Sequence, residues 1–180
     1  MTCSSILALA ATLGCAGALH AQTANPLSTE LKVSYLYVRN NLVKMAEKMP
    51  AENYSFKPVP EIQTFAMRVA HITDANMTVC SGLKRETKSV DARNKTSKAD
   101  LVAAMKASFA YCDGVFDSLT DKSAMEMVSG NLGGPPAILG APRSKLFTLY
   151  NLVRHSNELY GYMAVYLRLK GIVPPTSEPL

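Results

Sequence analysis

Two histidines, His71 and His155, are the residues of this sequence best suited to chemistry. Each is followed three positions later by a carboxylate, Asp74 and Glu158, which places acid and imidazole on neighbouring parts of one helix face. Imidazole and carboxylate are both acceptable ligands for a divalent ion such as zinc. A third histidine, His20, lies in an N-terminal segment expected to be removed. Phosphate loops, dinucleotide glycine fingerprints, Cys-x-x-Cys pairs, His-Glu-x-x-His and nucleophile elbows are all absent from the sequence. Cys80 and Cys112 fall on apolar stripes, which makes them core residues or a disulfide rather than reactive thiolates. A lone histidine on a semi-apolar helix face is more often structural than ligating. Acids at exposed helix positions are usually solvated.

Four helices must position these groups. The first opens at Asn25-Pro26, a cap residue followed by proline at the first helical position. Its stripe is Leu27, Leu31, Tyr35, Val38, Leu42, Met45 and Met49, spaced by threes and fours, and Pro50 ends it. A loop over 51–60 leads to a second helix from about Glu61 to Leu83, with Ile62, Phe65, Val69, Ile72, Val79 and Cys80 on one face. The polar stretch 84–96 is a loop. Ser97 to Asp100 reads as a capping box opening a third helix, whose stripe is Leu101, Met105, Ser108, Cys112, Val115 and Leu119. A linker over about 120–142, containing Gly133-Gly134-Pro135-Pro136, precedes a fourth helix from near Ser144 to Gly171. There is no strand pattern and no internal repeat, so the expected fold is an all-α four-helix bundle. Counting about 100° per residue from Ile62 or Leu146, each histidine falls about 180° from the apolar reference. The face around His155 (Thr148, Leu159, Tyr162, Tyr166) is itself semi-apolar. A helix apolar on two sides is buried on both or lines a cleft.

The chain of 180 residues is 48% hydrophobic and 18% charged, ordinary for a single globular domain. Its net charge of +5 is scattered. The densest run, Lys84 to Lys88, contains an acid and no aromatic, unlike a nucleic-acid-binding stripe. The apolar run Ile6 to Ala18 is too short to span a membrane and reads as an export signal over residues 1–21, cleaved after Ala21 or after Ala18. No Lys or Arg precedes it, a departure from the usual secretory pattern; a lipoprotein site at Cys15 is the weaker alternative. The expected organisation is a signal peptide followed by one domain over 22–180, periplasmic or secreted, with no integral membrane span. Export would leave Cys80 and Cys112 in an oxidising compartment, where they can pair if the topology brings them together.

The stretch from His155 through Tyr160-Gly161-Tyr162, Tyr166-Leu167-Arg168, Gly171 and Pro174-Pro175 resembles the closing helix of DinB-like proteins, as Met49 to Pro58 followed by Val69-Ala70-His71 resembles their second motif. The resemblance covers about Leu27 to Ser177 and implies an up-down-down-up bundle. It also implies a divalent metal, often zinc or nickel, held by one histidine of the second helix and two of the fourth. The matching positions here are His71, His155 and Leu159. Leucine has no lone pair, so the third ligand position is degenerate, with Glu158 or Asp74 as substitutes. Some DinB-like relatives are thiol transferases in which a metal would acidify a bound thiol. Leu159 and export both set this chain apart from that chemistry. Two readings remain: a metal-dependent enzyme with a degenerate site, or a metal-free bundle that binds a small molecule or a partner, in one form as a homodimer. Parallel second and third helices, as the resemblance implies, would bring Cys80 and Cys112 toward the same end of the bundle, where they either pair or remain core thiols.

Overall fold

The computed structural model describes residues 24–133 and 140–179. The expected signal segment, His20, and Gly134 to Pro136 of the linker lie outside the described residues. Four long helices make the fold: α1 (Pro26–Lys48), α2 (Phe65–Leu83), α3 (Lys98–Asp117) and α5 (Lys145–Leu169), with a single-turn helix α4 (Asp121–Ala124) between the last two. The chain is thus an all-α bundle.

Side-chain contacts give the helix directions. Thr73 accepts from Ser108 through its carbonyl at 2.8 Å, and Cys80 near the end of α2 is bonded to Cys112 near the end of α3. These helices therefore run parallel. His71 meets His155 while the Gln63 carbonyl meets the Tyr166 hydroxyl, so α2 and α5 are antiparallel. Ion pairs Lys32–Asp117 and Lys106–Glu47 make α1 and α3 antiparallel. The order is up-down-down-up.

The apolar stripes form one core. Leu31, Tyr35, Val38, Leu42, Met45 and Met49 of α1 are buried, as are Phe65, Val69, Ile72, Val79 and Cys80 of α2 and Leu101, Met105 and Cys112 of α3. Leu27, read as part of the first stripe, is instead 49% exposed, because it sits where the bundle ends. Helix α2 begins four residues later than the pattern of apolar residues suggests. Thr64 has extended backbone, and its hydroxyl accepts from Met67 N at 3.2 Å, making it the N-cap.

Two caps differ from their sequence reading. Asn25 does not cap α1 with its side chain. Its Oδ1 accepts from the Asp121 backbone N–H, and the Asp121 carboxylate accepts in return from Leu27 N and Ser28 N at 3.2 and 2.8 Å. Partial burial pushes the Asp121 carboxyl up, but these backbone donors outweigh it and hold the group below its ordinary value. At α3, Ser97 Oγ accepts from Asp100 N and donates to Asp100 Oδ2, so only the serine half of the expected box forms. The linker carries α4, capped by Thr120 with Ser123 in a reciprocal box, and a two-residue antiparallel ladder, β1 (Met127–Val128) with β2 (Arg143–Ser144). Neither is visible in hydrophobic periodicity, since a single turn and a two-residue bridge are shorter than any period.

Because α2 and α3 are parallel, the 84–97 segment climbs the bundle. Midway, the 3-10 turn Ala92–Asn94 buries Ala92 against α2 and donates the Ala92 N–H to Asp74 Oδ1 at 2.9 Å. The Cys80–Cys112 disulfide, with Cα atoms 5.3 Å apart, joins α2 to α3 across a separation of 32 residues. Closing a loop of that size in the unfolded chain stabilises the fold by about 3–4 kcal/mol in the chain-entropy account. The Cys80→Ser/Cys112→Ser double variant should lose about that much in a guanidinium melt, and a chain beginning at residue 22 should show no free thiol under denaturant without reductant.

Candidate functional site

His71 and His155 project from antiparallel helices toward one another, and their Nε2 atoms meet at 3.0 Å with the rings nearly perpendicular at 89°. Both are half-buried at the wall of a cleft of about 740 Å³. Helix α2 contributes Asp74, Ala75, Thr78 and Val79 to this wall, and α5 contributes Thr148, Asn151, Leu152 and Arg154. The climbing segment adds Ser89 and Arg93, and the linker adds Leu132 and Gly133. Of the faces that carried the histidines in the helical count, His71, Ala75 and Thr78 of α2 and Thr148 and His155 of α5 line the cleft, whereas Leu159 and Tyr166 pack into the core.

Hydrogen-bond chemistry fixes the tautomers. Arg93 Nη2 lies 3.2 Å from His71 Nδ1. A guanidinium can only donate, so His71 Nδ1 is the acceptor and its ring proton resides on Nε2. That proton is donated to His155 Nε2, which leaves the His155 proton on Nδ1, facing Glu158 Oε2 at 3.9 Å. The chain of donors runs Arg93 to His71 to His155. Every other ring lone pair is engaged, so neither imidazole has a free nitrogen with which to abstract a proton.

Electrostatics favour the neutral pair. Burial lowers the His71 pKa below its ordinary 6.5, followed by the effects of His155, Arg93 and Arg68, with Asp74 opposing. Burial also lowers that of His155, helped by Arg154 and Arg68 and opposed by Glu158.

The positions considered as metal ligands separate. Leu159 is 2% exposed and packs in the core cluster, where it offers no donor atom. Asp74 borders the cleft, but its carboxylate is committed to Ala92 N, with Arg93 Nε 4.0 Å away. Glu158 is exposed, approaches the Nδ1 side of His155 rather than Nε2, and accepts from Tyr162 at 3.1 Å. Among the described residues no group of three or more His, Cys, Asp or Glu could hold one ion. The donor set is therefore two imidazole nitrogens, short of the three protein ligands of a catalytic zinc centre. The tautomer also opposes a metal, since a ligating histidine usually donates its other N–H to a carboxylate or carbonyl, whereas here His71 Nδ1 faces a cation.

The tyrosines of α5 do not reach the cleft. Tyr160 pins the tail through Thr176 at 2.7 Å, Tyr166 donates to the Gln63 carbonyl at 2.6 Å, and Tyr162 binds Glu158. Cys80 and Cys112 are fully buried and bonded. Sequence reasoning missed Arg93 and Asn151. Arg93 lies in a polar run that reads as a solvated loop, and Asn151 carries no motif.

The DinB superfamily model matches residues 35–163. A DinB-like protein from Bacillus cereus superposes with a TM-score of 0.68 at 21% identity, covering 82% of this chain and 95% of its own. One from Bacillus subtilis gives 0.63 at 18% identity, covering 83% and 99%. A conserved protein from Enterococcus faecalis gives 0.61 at 11%, covering 79% and 95%. No curated protein matches the chain.

Two measurements test the histidine pair. Long-range proton–nitrogen NMR near neutral pH should report Nε2–H on His71 and Nδ1–H on His155. The folded-state pKa values are lowered, so the unfolded chain binds more protons as pH falls through 6.5. Stability should therefore be full well above that value and be lost progressively as pH falls through it, with a shallower decline in His155→Gln. A flat profile in the native protein would contradict the arrangement.

Proposed function

Because the chain belongs to the DinB superfamily, we propose that it retains the family's bundle but binds a small molecule at a metal-free histidine pair. The observation that carries this reading is the direct Nε2–Nε2 contact at 3.0 Å, with Arg93 donating to the far side of His71. Where relatives would place a third imidazole, Leu159 belongs to the core. With the ring lone pairs satisfied, the pair serves as a rigid, neutral wall element, and the cleft volume falls in the range of small-molecule sites. This reading favours binding over general-base catalysis.

A second reading is favoured by the same distance. Two nitrogens on one tetrahedral zinc ion would lie about 3.3 Å apart, so opening the pair slightly and moving the His71 proton to Nδ1 would create a two-histidine site for zinc or nickel. That change must displace Arg93, and two imidazoles bind a divalent ion more weakly than three.

The cellular setting is part of the proposal. The apolar run Ile6 to Ala18 supports export to the periplasm or beyond, and the Cys80–Cys112 bond suits an oxidising compartment.

Protein purified without an affinity tag should contain well under one equivalent of zinc or nickel by mass spectrometry. Stoichiometric metal that vanishes in His71→Ala would overturn the metal-free reading in favour of the second. Leu159→His, which restores the missing imidazole one turn beyond His155, should raise zinc affinity at least about tenfold. Unchanged affinity would mean that the absent third ligand is not what sets the site apart.

A further inference from the structure

We infer that the outer face of α1 is the contact between two copies of this chain, related by a two-fold axis that passes near Tyr37. Glu30, Val33, Tyr37, Asn40 and Lys44 recur at steps of three, four, three and four, the spacing of a helix seam that meets another helix. All five are exposed, Val33 at 63% and Tyr37 at 59%. A face that meets only water usually carries charge along its length, yet the middle of this one carries none. The neighbouring cations Lys32 and Arg39 are turned toward α3, in ion pairs with Asp117 and Asp113.

The charges stand at the two ends. Glu30 precedes Tyr37 by seven residues and Lys44 follows it by seven. Seven residues are two turns less about 20°, so the three side chains share one face, with a charge about 10.5 Å along the axis on either side of the tyrosine. The ion pairs of α1 among the described residues use Lys32, Arg39, Glu47 and Lys48 and leave Glu30 and Lys44 out. Lys48 pairs with Glu178 and holds its carboxyl below the ordinary value, with Lys44 as a minor addition.

This pattern is the complement of its own reverse. Set antiparallel about the two-fold, Glu30 of each copy lies level with Lys44 of the other, and Tyr37 meets Tyr37. A parallel pair would oppose like charges. Beside Glu30, α1 and α5 enclose a groove of about 540 Å³ lined by Leu27, Glu30, Ser34, Leu146, Phe147 and Tyr150, of which Leu27, Phe147 and Tyr150 are exposed. The methylene stem of Lys44 of the second copy can lie in this groove with its ammonium at Glu30. No residue of α1 lines the histidine cleft, so docking here leaves that cleft open.

Sedimentation equilibrium of the chain beginning at residue 22, from low to high micromolar concentration, should show monomer and dimer in exchange, with the dimer weakened by added salt. Glu30→Lys and Lys44→Glu should each weaken it about tenfold or more, because symmetry repeats every like-charge contact. Both sites are exposed, and thermal melts check that the variants fold. The double variant Glu30→Lys/Lys44→Glu recreates both pairs and should recover the association. A monomer at every concentration would overturn the proposal and leave this face to another occupant or to water. A dimer indifferent to the single reversals, or one that the double reversal fails to recover, would overturn it as well.

Discussion

Helices α2 and α3 run parallel, so the chain leaving the end of α2 must travel back along the bundle before α3 can begin. A 19-residue helix such as α2 is about 28 Å long, and the 14 residues from Lys84 to Ser97 reach about 46–50 Å when extended. The return path is long enough to leave slack, and slack costs order unless it is tied down. Asp74 ties it. Its carboxylate holds the Ala92 N–H halfway up α2, and Ala92 is fully buried there. The next residue, Arg93, is thereby delivered over His71. One crossover constraint thus creates a third wall for a cleft that two antiparallel helices alone would leave open. An acid that sequence alone offers as a spare metal ligand is an anchor for the loop.

That delivery decides the state of the histidines. Had a carboxylate occupied the place of Arg93, His71 would carry its proton on Nδ1 and present a lone pair at Nε2, the arrangement a metal needs. A guanidinium imposes the opposite tautomer, and burial together with Arg68 and Arg154 disfavours adding a second proton to either ring. Leu159 and Arg93 act in the same direction: the one offers no donor atom to the cleft, and the other makes His71 Nε2 a proton carrier. The core gains a well-packed leucine where an imidazole would have needed a hydrogen-bond partner.

The ends of the bundle are closed by contacts across long sequence separations. Asp121, from the one-turn α4, caps α1 in place of the residue that precedes it. The C-terminal tail returns over α5 and is pinned by Tyr160 to Thr176 and by an ion pair between Lys48 and Glu178. Tyr35, stacked on Phe116 at 3.8 Å, donates to Asp113, which is also gripped by Arg39. These links hold α1 against α3 and α5 while the cleft opens on the opposite side, between α2 and α5.

Sequence by itself determined the four long helices, their core faces and the position of the histidines on the second faces of α2 and α5. Those features are written in local periodicity and in the short-range chemistry of Ser97 and Ser144 at helix starts, whereas the Thr64 cap of α2 is not. The DinB-like motifs added the expectation that Leu159 stands where a ligand would. Tertiary structure alone decided what the site contains. The commitment of Asp74 to Ala92, the arrival of Arg93 at His71, the unpaired amide of Asn151 and the capping of α1 by Asp121 all depend on where distant segments come to rest. The physical reason is range: periodicity reports which face of a helix is buried, whereas the tautomer and charge of a site depend on partners brought together by the path of the whole chain.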